Sequence, residues 1–127
     1  MDKIANFINK LKMASAGNKP SFQFPSTRLV TSIAEALKRT GYLGEVGHKG
    51  KLKETLELSL LYRGGKPKVR GARRISHSSK RLYSGAKKLR PVRQGFGTAF
   101  LSTPKGILPD TEARQQNVGG EVLFEIW

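Results

Sequence analysis

Apolar residues recur early in the chain at Ile4, Phe7, Ile8 and Leu11, with Lys3, Asn6, Asn9, Lys10 and Lys12 between them. That spacing predicts an amphipathic helix over residues 2–13 with Asp2 near its cap. Ala16-Gly17-Asn18-Lys19-Pro20 is turn chemistry, after which Phe22 and Phe24 alternate with Ser21 and Gln23 as in a short, half-buried strand. The helical period returns at Leu29, Val30, Ile33, Ala34 and Leu37. Ser26 stands in the N-cap position of this second helix, and Gly41 where a left-handed residue ends one. Tyr42 to Val46 then reads as a strand, Gly47-His48-Lys49-Gly50-Lys51 as a turn, and Leu56, Leu58, Leu60 and Tyr62 as the buried face of a returning strand, which makes a hairpin.

Composition changes across Arg63-Gly64-Gly65-Lys66-Pro67, so a boundary is expected there, between an N-terminal half at 1–65 and a C-terminal, basic, β-rich half at 66–127. In the second half Gly95 to Thr103 and Lys105 to Leu108 read as strands. Asp110 reads as the cap of a short helix to Asn117, and Glu121 to Trp127 as a closing strand. A chain of 127 residues can bury one modest core or two thin ones sharing a seam, too little for a multi-domain enzyme.

Charge changes the picture most. There are 24 Lys and Arg against 9 Asp and Glu, a formal +15, which is self-repelling unless a polyanion neutralises it. Nucleic acid is the expected partner. Eleven of the cations fall between Lys66 and Arg93, a run without a carboxylate. Such a block by itself reads as a disordered linker. Here Val69, Ile75, Leu82, Tyr83, Leu89 and Val92 punctuate it and can anchor short strands to a core, which favours a folded surface with the cations outward, Lys87 and Lys88 among them. Tyr83 either stacks on an unpaired base or packs inward, and Arg81 close beside it favours stacking.

Catalytic and metal chemistry find little support. With no cysteine, thiol nucleophiles, disulfides and thiolate zinc sites are excluded, and only His48 and His77 titrate near neutral pH. Ser102 lacks a recognisable histidine partner motif, and Glu54 with Glu57 or Asp110 with Glu112 read as solvated faces. No cofactor, metal, small-molecule substrate or membrane partner is expected: no stretch approaches the roughly 20 apolar residues of a membrane span, and nothing reads as an export signal. Gly95-Phe96-Gly97 and Gly119-Gly120 do not fit phosphate-binding fingerprints and read as tight turns. Ser102-Thr103-Pro104-Lys105-Gly106, between two expected strands, suits two roles: an ordinary hairpin loop, or a loop contacting phosphate, sugar and base edges.

The order of motifs resembles a known family. Gly95-Phe96-Gly97, then Ser102-Thr103-Pro104-Lys105-Gly106, then Asp110 with Ala113-Arg114, then Gly119-Gly120-Glu121, is similar to the G-x-G, S-T-S-K-G, D-x-x-A-R and G-G-E run of the bacterial-type eighth protein of the small ribosomal subunit. Ile4-Ala5-Asn6, Pro25-Ser26-Thr27-Arg28 and Gly41-Tyr42-Leu43 resemble its earlier motifs, so the likeness spans the chain. The resemblance implies an α+β fold of two small, closely packed halves, an N-terminal α/β half and a C-terminal mostly β half with one short helix. It also implies a non-catalytic protein that binds a central-domain helix of the small-subunit rRNA, beside neighbouring ribosomal proteins, early in assembly.

Carried over by position, Ser102, Thr103, Lys105 and Gly106 would form the loop that reads the RNA, Glu121 would support it or touch the RNA, and Tyr83 would hold the aromatic position. Ser26 and Arg28 would contact the RNA backbone at the start of the second helix, where amide dipoles also favour phosphate. Pro104 stands where the family has a second serine and Lys3 where it has proline, and the middle is more basic. Such drift leads us to expect a mitochondrial ribosome rather than one of the bacterial cytoplasm. Two other readings share the charge: a DNA-compacting architectural protein, whose usual apolar wedge is missing, and a regulator binding an mRNA that mimics the rRNA site.

Overall fold

A computed structural model describes residues 2–76 and 79–127; His77 lies outside the described residues. The first helical pattern becomes α1, Lys3–Ala16, burying Ile4, Phe7, Ile8, Leu11 and Ala14. Asp2 caps it as expected, accepting from the amides of Ile4 and Ala5 at 3.1 Å each. Strand β1, Ser21–Pro25, leads into α2, Arg28–Arg39. The cap of α2 is Thr27, whose hydroxyl accepts from the Val30 amide at 3.2 Å, one residue later than the expected Ser26. The reason is that the Ser26 amide still donates to the Glu54 carbonyl at 2.7 Å, which holds Ser26 in the extended segment. Gly41, at φ +86, ends α2 as expected: its amide donates to Lys38 and that of Tyr42 to Leu37, a Schellman closure.

Strands β2, Leu43–Lys49, and β3, Thr55–Leu60, form an antiparallel sheet with β1 in the order β1-β3-β2. The hairpin turn begins at Gly50, later than expected. His48 and Lys49 still pair with Leu56 and Thr55, and Glu54 closes the tip by accepting from the Leu52 amide at 3.1 Å. Alternate residues Phe22 and Phe24 meet Phe7 of α1 at ring separations of 5.8 and 5.3 Å.

The expected boundary segment is a minute hairpin, β4 at Tyr62–Arg63 and β5 at Lys66–Pro67, turned by Gly64 and Gly65. Beyond it come β6 at Ala72–Arg74, β7 at Tyr83–Ser84, β8 at Thr98–Thr103, β9 at Gly106–Pro109, α3 at Asp110–Gln115 and β10 at Gly120–Ile126. The second sheet runs β6-β10-β8-β9, with β7 beside β10 on the same edge as β6. Strand β8 starts at Thr98 rather than Gly95, because Arg93, Gln94 and Gly95 all take positive φ and the Gly97 amide folds back to the Val92 carbonyl. Asp110 does not cap α3. It is the first helical residue, buried, and its carboxylate takes Arg114 at 3.0 Å instead. Asn117, at φ +55, lies past the end of that helix.

One core runs through both sheets, from Ile4 and Phe7 through Leu56 and Leu58 to Phe100 and Phe124, whose rings stack at 5.1 Å. A smaller cluster of Val92, Ala99 and Leu101 lies apart from it, with Leu89 and Val122 packed against it. Of the residues expected to anchor the basic run, Val69 and Val92 are buried and Ile75 and Leu89 half-buried, but Leu82 and Tyr83 are exposed. Strand β7 pairs for only two residues, at an end of the sheet the core does not reach.

Helix α1 is tied to the second sheet by its cap Asp2, whose carboxylate meets Arg74 of β6 at 3.0 Å. Burial pushes the Asp2 carboxyl up, but the Ala5 amide, the Arg74 guanidinium and the Ile4 amide together hold it below its ordinary value of 3.8. A lowered folded-state pKa stabilises the fold above the unfolded value and ceases to do so as pH falls through the folded one. Asp2→Ala is therefore expected to cost about 1–2 kcal/mol in urea unfolding at neutral pH. The gap should narrow in acid; a gap that stays constant into acid would detach the effect from the carboxylate's charge.

Candidate nucleic-acid interface

The residues singled out in the C-terminal half are brought together by strand register. Glu121 of β10 lies opposite Tyr83 of β7 on one side and Ser102 of β8 on the other. Directly opposed residues share a face, so Tyr83, Glu121 and Ser102 form a row across three strands. That face passes from core to surface within two residues of β8: Phe100 is fully buried and Ser102 exposed.

Gly119 and Gly120 make the row possible. A Cβ on Gly120 would stand 2.1 Å from the Ser102 carbonyl oxygen, and one on Gly119 would stand 2.4 Å from that of Ser84. The pair is thus a place of close backbone approach between strands, not the tight turn expected from sequence.

The loop itself is a tight connection between β8 and β9, closed by the pairing of Thr103 with Gly106. The Thr103 hydroxyl donates to the Gly106 carbonyl at 2.8 Å and accepts from the Lys105 amide at 3.1 Å. Thr103 is committed to shaping the turn, whereas the Ser102 hydroxyl has no partner among the described residues. Pro104 follows Thr103 at the tip, where its fixed φ suits the turn, so the departure from the family pattern removes a hydroxyl and an N–H without opening the loop. Gly106 takes φ +107, and Lys105 is exposed.

Both oxygens of Glu121 accept from Arg81 Nη1, at 3.3 and 3.1 Å. The carboxylate side chain is only 12% exposed against 55% for Arg81, so the acid sits beneath its cation. Tyr83 is 72% exposed, which excludes inward packing. Lys87 and Lys88 lie on an exposed 3-10 turn, Ala86–Lys88, just after β7 and without an ion pair. Ser26 and Arg28 lie elsewhere, where β1 passes into α2. No hydrogen bond or ion pair among the described residues joins them to the loop end, and the Ser26 hydroxyl lies 3.4 Å from that of Thr31.

Among the described residues seven ion pairs engage seven of the nine carboxylates and only seven of the 24 Lys and Arg, so the surplus cations have no counter-charge there. Glu57, on the other sheet, is held below the carboxylate range by the hydrogen bond from Lys49, with Gln23 adding to it. Among the described residues no acidic or histidine cluster could hold a metal, and no helix is long and apolar enough to cross a membrane. Sequence reasoning missed the Arg81–Glu121 pair, whose members stand 40 positions apart, and the exposure of Phe96, at 84%.

Comparison with known proteins assigns the family. The family model described as Ribosomal protein S8 matches residues 2–127. The chain belongs to the ribosomal protein S8 family. It is 41% identical to small ribosomal subunit protein uS8 of Microcystis aeruginosa and 40% identical to that of Nitrobacter hamburgensis, each over 99% of this chain and 97% of the relative. The uS8 protein of Mesomycoplasma hyopneumoniae is 36% identical over 99% of this chain and 96% of its own length. This is a family of structural, non-enzymatic ribosomal proteins. In this chain the family's D-x-x-A-R run is explained by packing: Asp110 and Arg114 pair one helical turn apart, and Ala113 is fully buried.

Gly120→Ala is expected to destabilise the fold by about 1–3 kcal/mol in thermal unfolding, because backbone must move to admit the methyl group. Gly47→Ala, at a site with nothing within 4 Å of the added Cβ, should stay within about 0.5 kcal/mol of wild type. Equal melting of the two variants would mean that β8 and β10 tolerate wider spacing at this end.

Proposed function

We propose that the chain, as a structural component of the small ribosomal subunit, recognises a central-domain helix of the small-subunit rRNA through the Tyr83, Glu121 and Ser102 row and its adjoining loop. The observation that carries this is the register that aligns an exposed aromatic ring, a shielded carboxylate and an unpartnered hydroxyl on one uncovered end of a rigid sheet. Rings stack on splayed bases, hydroxyls bond base edges and 2′-hydroxyls, and neither role suits the inside of a regular duplex.

The roles then separate. Ser102 offers the free hydroxyl, Thr103 and Gly106 hold the turn, Lys105 meets a phosphate at the tip, and Tyr83 stacks. Glu121 orients Arg81 and leaves its remaining N–H donors for phosphate. Lys87 and Lys88 neutralise phosphates without reading sequence. The halves 1–65 and 66–127 divide the work, the first adding backbone contacts through Ser26 and Arg28. Neighbouring ribosomal proteins complete the setting. As to compartment, the relatives named above are bacterial and support a bacterial cytoplasm. A mitochondrial matrix has only Lys3, Pro104 and the basic middle in its favour.

The test titrates the full chain against a central-domain rRNA fragment, an equal-length duplex RNA and a duplex DNA at several salt concentrations. A preference for the fragment that persists at raised salt is expected. Lys87→Ala or Lys88→Ala should weaken binding to all three alike and reduce the salt slope by about one unit each. Ser102→Ala should erode the preference with little change in slope. If it discriminates as wild type does, the row does not read the RNA; equal, salt-abolished binding to all three would favour a DNA-compacting protein.

A further inference from the structure

The opposite end of the C-terminal sheet carries a second basic feature that the loop does not use. Strand β10 runs from Glu121 at the loop end to Ile126, and Trp127 follows it, so the two ends stand roughly 20 Å apart at the rise of an extended strand. There a hollow of about 640 Å³ is lined by Arg63, Lys66, Lys68, Arg70 and Arg93 and by no acidic side chain. None of these five cations is in an ion pair among the described residues. The acid of the adjoining hollow, Glu125, is already held by Arg73 at 2.9 Å.

Three aromatic side chains share the lining. The Arg93 guanidinium lies over the Trp127 ring at 3.8 Å, and the Lys68 ammonium lies 5.6 Å from the Tyr42 ring, so both cations are placed by flat apolar surfaces. Phe96 differs from the other two. It lines the hollow yet stays 84% exposed, carried on a turn in which Arg93, Gln94 and Gly95 take φ values of 48, 57 and 95°. Two consecutive non-glycine residues in the left-handed region are uncommon, and here they hold an apolar ring in water beside unpaired cations.

We propose that this hollow binds an unpaired nucleotide of single-stranded RNA, its phosphates on Arg63, Lys66 and Arg70 and its base stacked on Phe96. Aromatic rings interleaved with free cations are the elements of sequence-tolerant single-strand recognition. A duplex presents no open base face and would leave Phe96 unused; an acidic peptide would use the cations and leave the ring in water. The inference rests on the proposed function in taking RNA as the ligand, but it concerns a different end of the sheet and different side chains.

Trp127 is the one tryptophan of the chain and lies in the hollow, so its fluorescence reports occupancy directly. A short oligoadenylate titrated into the full chain is expected to quench Trp127 in a salt-dependent manner. Phe96→Ala should weaken that binding roughly tenfold, Phe96→Tyr should retain it, and Gly47→Ala, outside both sites, should leave it unchanged. Circular dichroism should show the Phe96 variants folded, since the ring is largely outside the packing.

Absence of quenching, or wild-type affinity in Phe96→Ala, overturns the proposal. Quenching by an oligoglutamate peptide but not by oligoadenylate overturns it in favour of an acidic protein segment. The same protein samples are scored for preference toward the central-domain fragment. A preference that still depends on Ser102 while Phe96 proves irrelevant removes the hollow alone. Oligoadenylate binding that depends on Phe96 without any fragment preference supports the hollow and removes the loop's proposed role.

Discussion

Strand β10 is paired along both edges, to β6 and β7 on one side and to β8 on the other, and the rest of the C-terminal half is arranged around that constraint. Its first residue, Gly120, and Gly119 just before it must be glycines, because the neighbouring backbones come too close for a side chain. Its register is interrupted between Val122 and Phe124. Below the interruption Glu121 aligns with Ser102 and Tyr83 at the surface; above it Phe124 aligns with Phe100 in the shared core. The same strand therefore carries a surface row and the centre of the fold, and the stability of the core is what keeps the surface row rigid.

Charge is organised by the same economy. Nine carboxylates cannot balance 24 cations, and seven of the nine are held in ion pairs. Some pairs hold the fold together: Asp2 with Arg74 joins α1 to β6, and Arg39 with Glu112 joins α2 to α3. The more exposed of these, Arg39 with Glu112, contributes little singly. Their larger effect is to direct where the surplus lies, since each paired acid cancels one cation and leaves Lys80, Lys87, Lys88, Arg90 and the hollow's five cations without a counter-charge among the described residues. Bound polyanion relieves that repulsion, so folding and RNA binding share a dependence on salt.

Much of this is legible in the sequence where local chemistry decides. Asp2, the apolar period of α2 and Gly41 each carry their own signal, and the Phe22 and Leu56 alternations identify strands before any partner is known. Local chemistry misleads where a distant partner takes the group. Ser26 looks like a cap until Glu54 claims its amide, and Asp110 looks like one until Arg114 takes its carboxylate within the helix. The exposure of Tyr83 could not be read from alternation because β7 is two residues long. The pairing of Arg81 with Glu121 joins segments that only the sheet brings together. The resemblance named the loop and its RNA; the register explains why those residues belong to one surface.

Pro104 shows how a departure from the family pattern is absorbed. Its ring fits the tip of the β8–β9 turn, and the Lys105 amide and Thr103 hydroxyl are engaged with each other, so the turn keeps its shape with fewer free donors. Under the proposed function, recognition at this end would fall on fewer groups: the Ser102 hydroxyl, the Tyr83 ring and whatever Arg81 can donate beyond Glu121. A loop so depleted would discriminate through geometry more than through the number of its hydrogen bonds, since each remaining group would have to meet its partner at a fixed place on a rigid sheet. Affinity can be supplied elsewhere, by cations that need no such placement. The proposed function thus divides selectivity and attraction between parts with opposite requirements: a rigid, nearly charge-balanced row at one end of β10, and unbalanced charge over the rest of the basic surface.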